Sequence, residues 1–228
     1  MLRLHMILAA TISLFLANAS TAGIILVANM TNAAEAPVAN TPNAPPSGVP
    51  LTAGPGALDP TAPRPASFGH ATFFLNDAQT ALTMTATIFN IDVTGTQTAG
   101  LNDNLVAAHI HASPTVTTGT APVVWGFFGS PDNDVNPNDL VVTPFSTGVG
   151  GTFTSKWDAP EGNNGTTLAA QLANLLSEHA YINFHTTQFT GGEIRGFLVI
   201  PEPSPLALLA AGAVVLLGFL RRQDRSIA

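Results

Sequence analysis

The feature that most constrains the fold of this chain is a strict alternation of apolar and polar residues across positions 82–88. Leu, Met, Ala and Ile occupy every second position, and threonine fills each position between them. Because successive side chains of a strand point to opposite faces, this period of two predicts a strand with one buried face. Short runs rich in β-forming residues predict seven more strands, at 68–75, 105–111, 123–128, 140–143, 152–157, 181–185 and 194–200.

Eight short strands separated by turn residues indicate one all-β domain, an antiparallel sandwich or barrel over residues 67–200. One short helix interrupts the strands, because four leucines between 168 and 176 recur with helical spacing. The threonine pair before them can cap the first turn of this helix. Since the chain contains no cysteine, packing rather than disulfide bonds must hold the domain together.

The N-terminal residues 1–30 have the order of a secretory signal peptide or an uncleaved membrane anchor. Arg3 precedes an apolar run at 4–16, and the small residues at 17–19 form an A-x-A cleavage motif. A second apolar run at 23–28 leaves two other cleavage points open, after Ala22 or after Ala36. Both interpretations predict an apolar helix at this end of the chain and export of the domain that follows it.

Residues 31–66 contain nine of the eighteen prolines in the chain. Proline removes a backbone donor and is excluded from helix interiors and from central strands. This segment is therefore predicted to be a disordered linker that gives the folded domain reach.

The C-terminal residues 201–228 contain three signals in order: Pro201-Glu202-Pro203, an apolar run at 206–220, and a basic pair at 221–222. They resemble the PEP-CTERM sorting signal. That resemblance implies export, transient anchoring in the inner membrane by a transmembrane helix, and processing near the triplet by an exosortase-type enzyme. It also implies a place at the cell surface or in the extracellular matrix of a biofilm. A plain C-terminal membrane anchor is the alternative.

The charge of the chain limits its partners. Its formal net charge is −7, and Arg64, Lys156 and Arg195 are the only basic residues between positions 37 and 200, histidine aside. Such a surface repels phosphate backbones and anionic lipid head groups. Nucleic-acid binding is therefore not expected.

Three segments of the domain resemble the CHRD (chordin-type) domain of secreted proteins: AAHIHASP from 107, TTLAAQLANLL from 166, and YINFHTTQFTGGEIRGFL from 181. The resemblance covers about residues 68–198. It implies an immunoglobulin-like or superoxide-dismutase-like β-sandwich of about eight strands with one short helix, here flanked by the N- and C-terminal apolar helices. It implies no known reaction.

Three histidines form the candidate metal site. His109 and His111 are two residues apart, so on a strand both side chains project from one face, about 6.6 Å apart along the chain. His185 lies on the polar side of its own strand, together with Tyr181 and Asn183. If the two strands are neighbours, three imidazoles can bind one copper or zinc ion. The alternative is that these histidines are buried hydrogen-bonding residues of a β-domain.

Glu193 and Arg195 form the second candidate group. They are also two residues apart and are predicted to form a structural ion pair after the turn made by Gly191 and Gly192. The alternative is that Arg195 recognises a carboxylate or sulfate group of a partner glycan.

No motif places a catalytic nucleophile, so the sequence favours a function other than catalysis. The leading hypothesis is a non-enzymatic binding or structural module at the cell surface or in the matrix, with a polysaccharide or a matrix protein as its partner. The alternative hypothesis is a metal-binding domain that uses His109, His111 and His185 and is redox-active if it holds copper.

Overall fold

The computed structural model of the chain describes residues 23–35 and 64–202, which form nine strands and one short α-helix. The strands are β1 (Ile24–Thr31), β2 (Phe68–Leu75), β3 (Ala81–Phe89), β4 (Leu105–Ala112), β5 (Val123–Phe128), β6 (Val141–Pro144), β7 (Gly150–Asp158), β8 (Ala180–Thr186) and β9 (Ile194–Phe197). The helix is α1 (Leu168–Leu176), and two 3-10 turns lie at Asn32–Ala34 and Asn163–Gly165.

The predicted antiparallel β-structure with one short helix is confirmed. Each of the eight predicted strands is present, and the alternation at 82–88 does bury its apolar residues: Leu82, Met84, Ala86 and Ile88 are at most 1% exposed. The helix begins after Thr167, whose side chain accepts a hydrogen bond from the backbone N–H of Ala170. This cap satisfies one of the unpaired donors in the first helical turn.

The strands form one continuous sheet rather than the two separate sheets of the predicted sandwich. Its order is β5-β4-β8-β9-β1-β2-β3-β7-β6, with antiparallel pairing throughout. Although β5 and β7 lie far apart in this order, the rings of Trp125 and Trp157 stack at 5.6 Å, and Phe128 packs edge-on against Phe153. The sheet therefore curls until its two halves face each other across one core.

Strand β1 corrects the predicted start of the domain at residue 67. It pairs with β2 along its whole length, and Leu26, Ala28 and Met30 are buried in the core. The sequence pattern places the short run at 23–28 in the N-terminal apolar segment, because nothing local distinguishes a buried strand from a targeting sequence. The folded domain therefore includes 24–31, eight residues that had been divided between the signal segment and the linker.

The remaining predicted segments lie outside the described residues: 1–22 of the signal or anchor, 36–63 of the linker, and 203–228 of the sorting signal. Within the two described ranges, no helix has the length and apolar character needed to cross a bilayer.

The two ends of the domain emerge side by side. Thr31 is paired with Arg195, and Val27 forms an isolated antiparallel bridge with Val199. The same register brings the start of β1 next to the residues around position 202. Residues 23 and 202 therefore lie at the same end of the β1–β9 pair, in the middle of the sheet.

Candidate metal centre

The three predicted histidines meet on one face of the β4–β8 pair. His109 is opposite Asn183 in the register of this pair, and Ala107 is opposite His185. All three histidine side chains therefore point away from the core face, which carries Ile110. Loops cover this polar face, so the histidines are only 5–9% exposed.

The ring nitrogens are close enough to share one ion. One nitrogen from each of His109, His111 and His185 lies within 4.8 Å of the others. Nδ1 of His109 lies 3.2 Å from Nε2 of His185. Two nitrogens bound to a tetrahedral zinc or copper ion at 2.0–2.1 Å are about 3.3–3.4 Å apart. The His109–His185 pair already has this spacing, and one nitrogen of His111 lies within 4.8 Å of both.

The second nitrogen of each ring is held by a backbone carbonyl. His109 Nε2 lies 3.0 Å from Ser130 O, His111 Nδ1 lies 2.8 Å from Ala121 O, and His185 Nδ1 lies 3.0 Å from Thr190 O. A carbonyl oxygen can only accept, so each of these three nitrogens carries the proton of its ring. In metalloproteins, ligating histidines are oriented by the same kind of bond on the nitrogen away from the metal.

This arrangement fixes the tautomer of each neutral ring and leaves three lone pairs facing one another. His109 Nδ1 and His185 Nε2 are both acceptors in that state, so their 3.2 Å contact is not a hydrogen bond. His111 Nε2 is buried and has no hydrogen-bond partner among the described residues. A buried acceptor without a donor destabilises the folded state. A cation between the three rings would satisfy all three acceptors.

The surroundings favour the neutral rings. Burial lowers the pKa of His185 to about 3, with a further decrease from the two other histidines. Burial also lowers the pKa of His111 to about 4 and lowers the pKa of His109. Neutral imidazoles are the form that binds metal, so the centre is ready for an ion at neutral pH without loss of a proton.

The predicted ion pair between Glu193 and Arg195 is wrong, because Glu193 binds a different arginine. Arg64 donates from Nη1 and Nη2 to the two carboxylate oxygens of Glu193, each at 2.6 Å. Ser67 Oγ and Thr186 Oγ1 also donate to this carboxylate. Glu193 is fully buried and Arg64 nearly so. Sequence reasoning missed Arg64 because it lies in the proline-rich segment that was assigned to the linker.

Arg195 instead binds backbone carbonyls that belong to the loops over the polar face. Its guanidinium donates to the carbonyl oxygens of Ala34, Thr118 and Gly119. The same group lies 4.7 Å from the centroid of the Tyr181 ring, a cation–π distance. Tyr181 in turn stacks on His111, with 4.8 Å between ring centroids and 6° between ring planes. Arg195 therefore holds the covering loops and places a positive charge on the face that carries the histidines.

Glu35 is a second buried residue that sequence reasoning missed. Its side chain is buried, and one oxygen has no hydrogen-bond partner in the described part of the chain. A Cβ built on Gly192 would lie 2.8 Å from that oxygen and 2.7 Å from Oδ1 of Asn183, so both groups border the same glycine. Burial raises the pKa of Glu35 to about 8, while Arg195 lowers it and Glu193 raises it further. Glu35 is therefore uncharged at neutral pH.

The family model that matches this chain is that of the CHRD domain, over residues 26–198. The match begins within β1, which agrees with the place of that strand in the sheet. Comparison with curated proteins and with solved structures gave no match.

Proposed function

We propose that this chain, which belongs to the CHRD domain family, is a non-enzymatic binding module that holds one transition-metal ion between His109, His111 and His185. One observation carries the proposal. The three ring nitrogens that face one another have no proton to share, because the opposite nitrogen of each ring donates to a carbonyl. A transition-metal ion would supply the positive charge that the three facing lone pairs lack.

The ligands indicate the class of metal. Three imidazole nitrogens suit copper and zinc, whereas magnesium and calcium take oxygen ligands. Within the described ranges, the group of side chains close enough to share the ion contains the three histidines and no carboxylate. Copper and zinc are therefore the ions to test first.

Replacing His185 with Gln is expected to weaken copper or zinc binding at least about 100-fold, because loss of even an outer partner of a ligand costs 10–100-fold in affinity. The full-length protein, purified without a histidine tag and reconstituted with each metal, should contain about one ion per chain. Metal content by mass spectrometry and affinity by chelator competition measure the effect.

His70→Gln is the matched control, because His70 is exposed on β2. It should bind metal as the wild-type protein does, and circular dichroism should show that both variants are folded. The proposal fails if the wild-type protein binds neither metal stoichiometrically. It also fails if a variant lacking all three histidines keeps the same metal content.

We further propose that the module is exported and held at the cell surface or in the matrix, where its partner is a polysaccharide or a matrix protein. The basic residues Arg3, Arg221 and Arg222 flank the two terminal apolar runs, and basic residues favour the cytoplasmic side of a membrane. The two ends of the domain lie next to each other, which supports an arrangement with both basic ends on the cytoplasmic side. Both apolar segments can then enter one membrane without distorting the sheet. Signal cleavage after Ala19 or Ala22 is favoured, since cleavage after Ala36 would remove β1.

Deleting residues 203–228 is expected to release the folded domain into the medium of the producing bacterium, because the deletion removes the apolar run and basic tail but leaves every described strand. Cell fractionation measures the location. Mass spectrometry of the wild-type protein should find an N-terminus at Ser20 or Gly23 and a C-terminus near residues 201–203. Unchanged anchoring of the deletion variant, together with intact termini in the wild-type protein, would contradict the proposed export and processing.

A further inference from the structure

We propose that the three-histidine centre selects the monovalent ion Cu(I) over the divalent ion Zn(II). This inference rests on the proposed function and specifies which ion the proposed centre prefers. It depends on three observations about the described residues: a ligand group without negative charge, a buried arginine on the same face, and neighbouring carboxyl groups that cannot compensate a divalent ion.

The three imidazole ligands are neutral, so they do not neutralise the charge of a bound ion. Three neutral imidazoles approach one another within 4.8 Å, and this group includes no carboxylate within the described ranges. The histidines are almost fully buried. The cost of moving an ion out of water grows with the square of its charge, so a divalent ion is penalised far more than a monovalent one at a buried site.

Arg195 adds a second positive charge to this face. The guanidinium contacts the Tyr181 ring, and that ring stacks on His111. One aromatic ring therefore separates the charge of Arg195 from the nearest histidine of the centre. In the part of the chain that the structure describes, Arg195 forms no ion pair with a carboxylate. Carbonyl oxygens hold it without neutralising it. A fixed positive charge one stacked ring away disfavours a divalent over a monovalent ion by roughly tenfold.

Two buried carboxyl groups, those of Glu193 and Glu35, do not compensate the charge. Glu193 is bound on both oxygens by Arg64. Glu35 lies beside Gly192 and Asn183, and its burial keeps it protonated at neutral pH. Of these charged groups, Arg195 is therefore the one whose charge no carboxylate offsets among the described residues.

The number of ligands acts in the same direction. Zinc in proteins is almost always four-coordinate and needs a water or another group in addition to three histidines. Cu(I), with its lower charge, accepts three ligands. A buried set of three nitrogens therefore completes the coordination of Cu(I) but not that of Zn(II).

The test compares the affinities of the full-length protein for Cu(I) and Zn(II). Cu(I) affinity is measured without oxygen by competition with bicinchoninate, and Zn(II) affinity by competition with a fluorescent zinc chelator. Cu(I) is expected to bind at least about 100-fold more tightly, since the desolvation and repulsion terms both oppose the divalent ion. Zn(II) binding that is as tight as Cu(I) binding would overturn the inference.

Arg195→Met is expected to shift the Zn(II) to Cu(I) affinity ratio toward zinc by roughly tenfold, whereas Arg195→Lys, which keeps the charge, should leave the ratio near its wild-type value. If Arg195→Met does not fold, the ratio of Zn(II) and Cu(I) affinities of the wild-type protein still tests the selectivity. The two proposals fail differently. Stoichiometric zinc with weak Cu(I) binding contradicts only the selectivity, and the absence of any metal binding contradicts the metal centre itself.

Discussion

Replacing Arg64 with Met is expected to lower the free energy of unfolding by about 3–5 kcal/mol, because it leaves the carboxylate of Glu193 buried without a cation. The pair is bidentate, with both N–O distances at 2.6 Å, the geometry in which arginine binds a carboxylate most strongly. Equilibrium unfolding in urea, followed by tryptophan fluorescence, measures the change. Trp125 and Trp157 are both in the core and will report global unfolding.

Lys156→Met is the matched control for this prediction. Lys156 also contacts two carboxylates, those of Asp139 and Asp158, but its side chain is one-third exposed. Exposed ion pairs contribute little to stability, so this variant should unfold at nearly the wild-type urea concentration. Equal effects of the two substitutions would contradict the assignment of Arg64 to a buried structural pair. In the double variant Arg64→Met/Glu193→Gln, part of the lost stability should return, because the unpaired charge is gone.

Replacing Glu35 with Gln is expected to increase the free energy of unfolding by about 3–5 kcal/mol at pH 8 and to change it little at pH 4.5. The pKa of Glu35 is raised from 4.5 to about 8 in the folded protein. Between these values the folded state binds a proton that the unfolded state has released. The wild-type protein therefore loses stability as the pH rises through this window, by about 1.4 kcal/mol per pH unit.

Unfolding in urea at several pH values between 4.5 and 8.5 measures this effect, with the metal-free protein used throughout. The buried histidines also titrate, so the relevant quantity is the difference between the variant and the wild-type protein at each pH. Arg195 and Glu193 both act on Glu35 electrostatically, and both remain in the variant. Asp77→Asn, at an exposed position of the β2–β3 turn, should show no such pH-dependent difference. A difference for Glu35→Gln that does not grow with pH would show that Glu35 is ionised in the folded state.

Local patterns predicted the strands well where the alternation extended over a whole strand. The run at 82–88 forms β3, and the leucines at 168–176 form α1. The same reasoning missed β1, because only pairing with β2 distinguishes Ile24–Thr31 from the apolar segment before it. The single curled sheet was also beyond local patterns. It depends on how β9 and β1 join the two halves, through one strand pair and one isolated bridge.

The three-histidine site was half predictable. The spacing of His109 and His111 places both on one face of a strand, whatever the rest of the fold. Whether His185 joins them depends on the adjacency of β4 and β8, which no local pattern specifies. The three carbonyls that fix the ring tautomers belong to loops, at Ser130, Ala121 and Thr190. Their positions follow from the packed structure alone.

Sequence alone is enough to say which side chains share a face of a strand, because that depends only on the period of two in an extended backbone. It was not enough to pair Glu193 correctly, since the predicted partner Arg195 lies two residues away and the actual partner is Arg64. The tertiary structure decided which charges meet. Residues from distant parts of the chain fold over that face and bring Arg64 to Glu193, while Arg195 is left to the carbonyls of two loops. Electrostatic partners depend on separation in space, and separation in space is known only once the segments have packed.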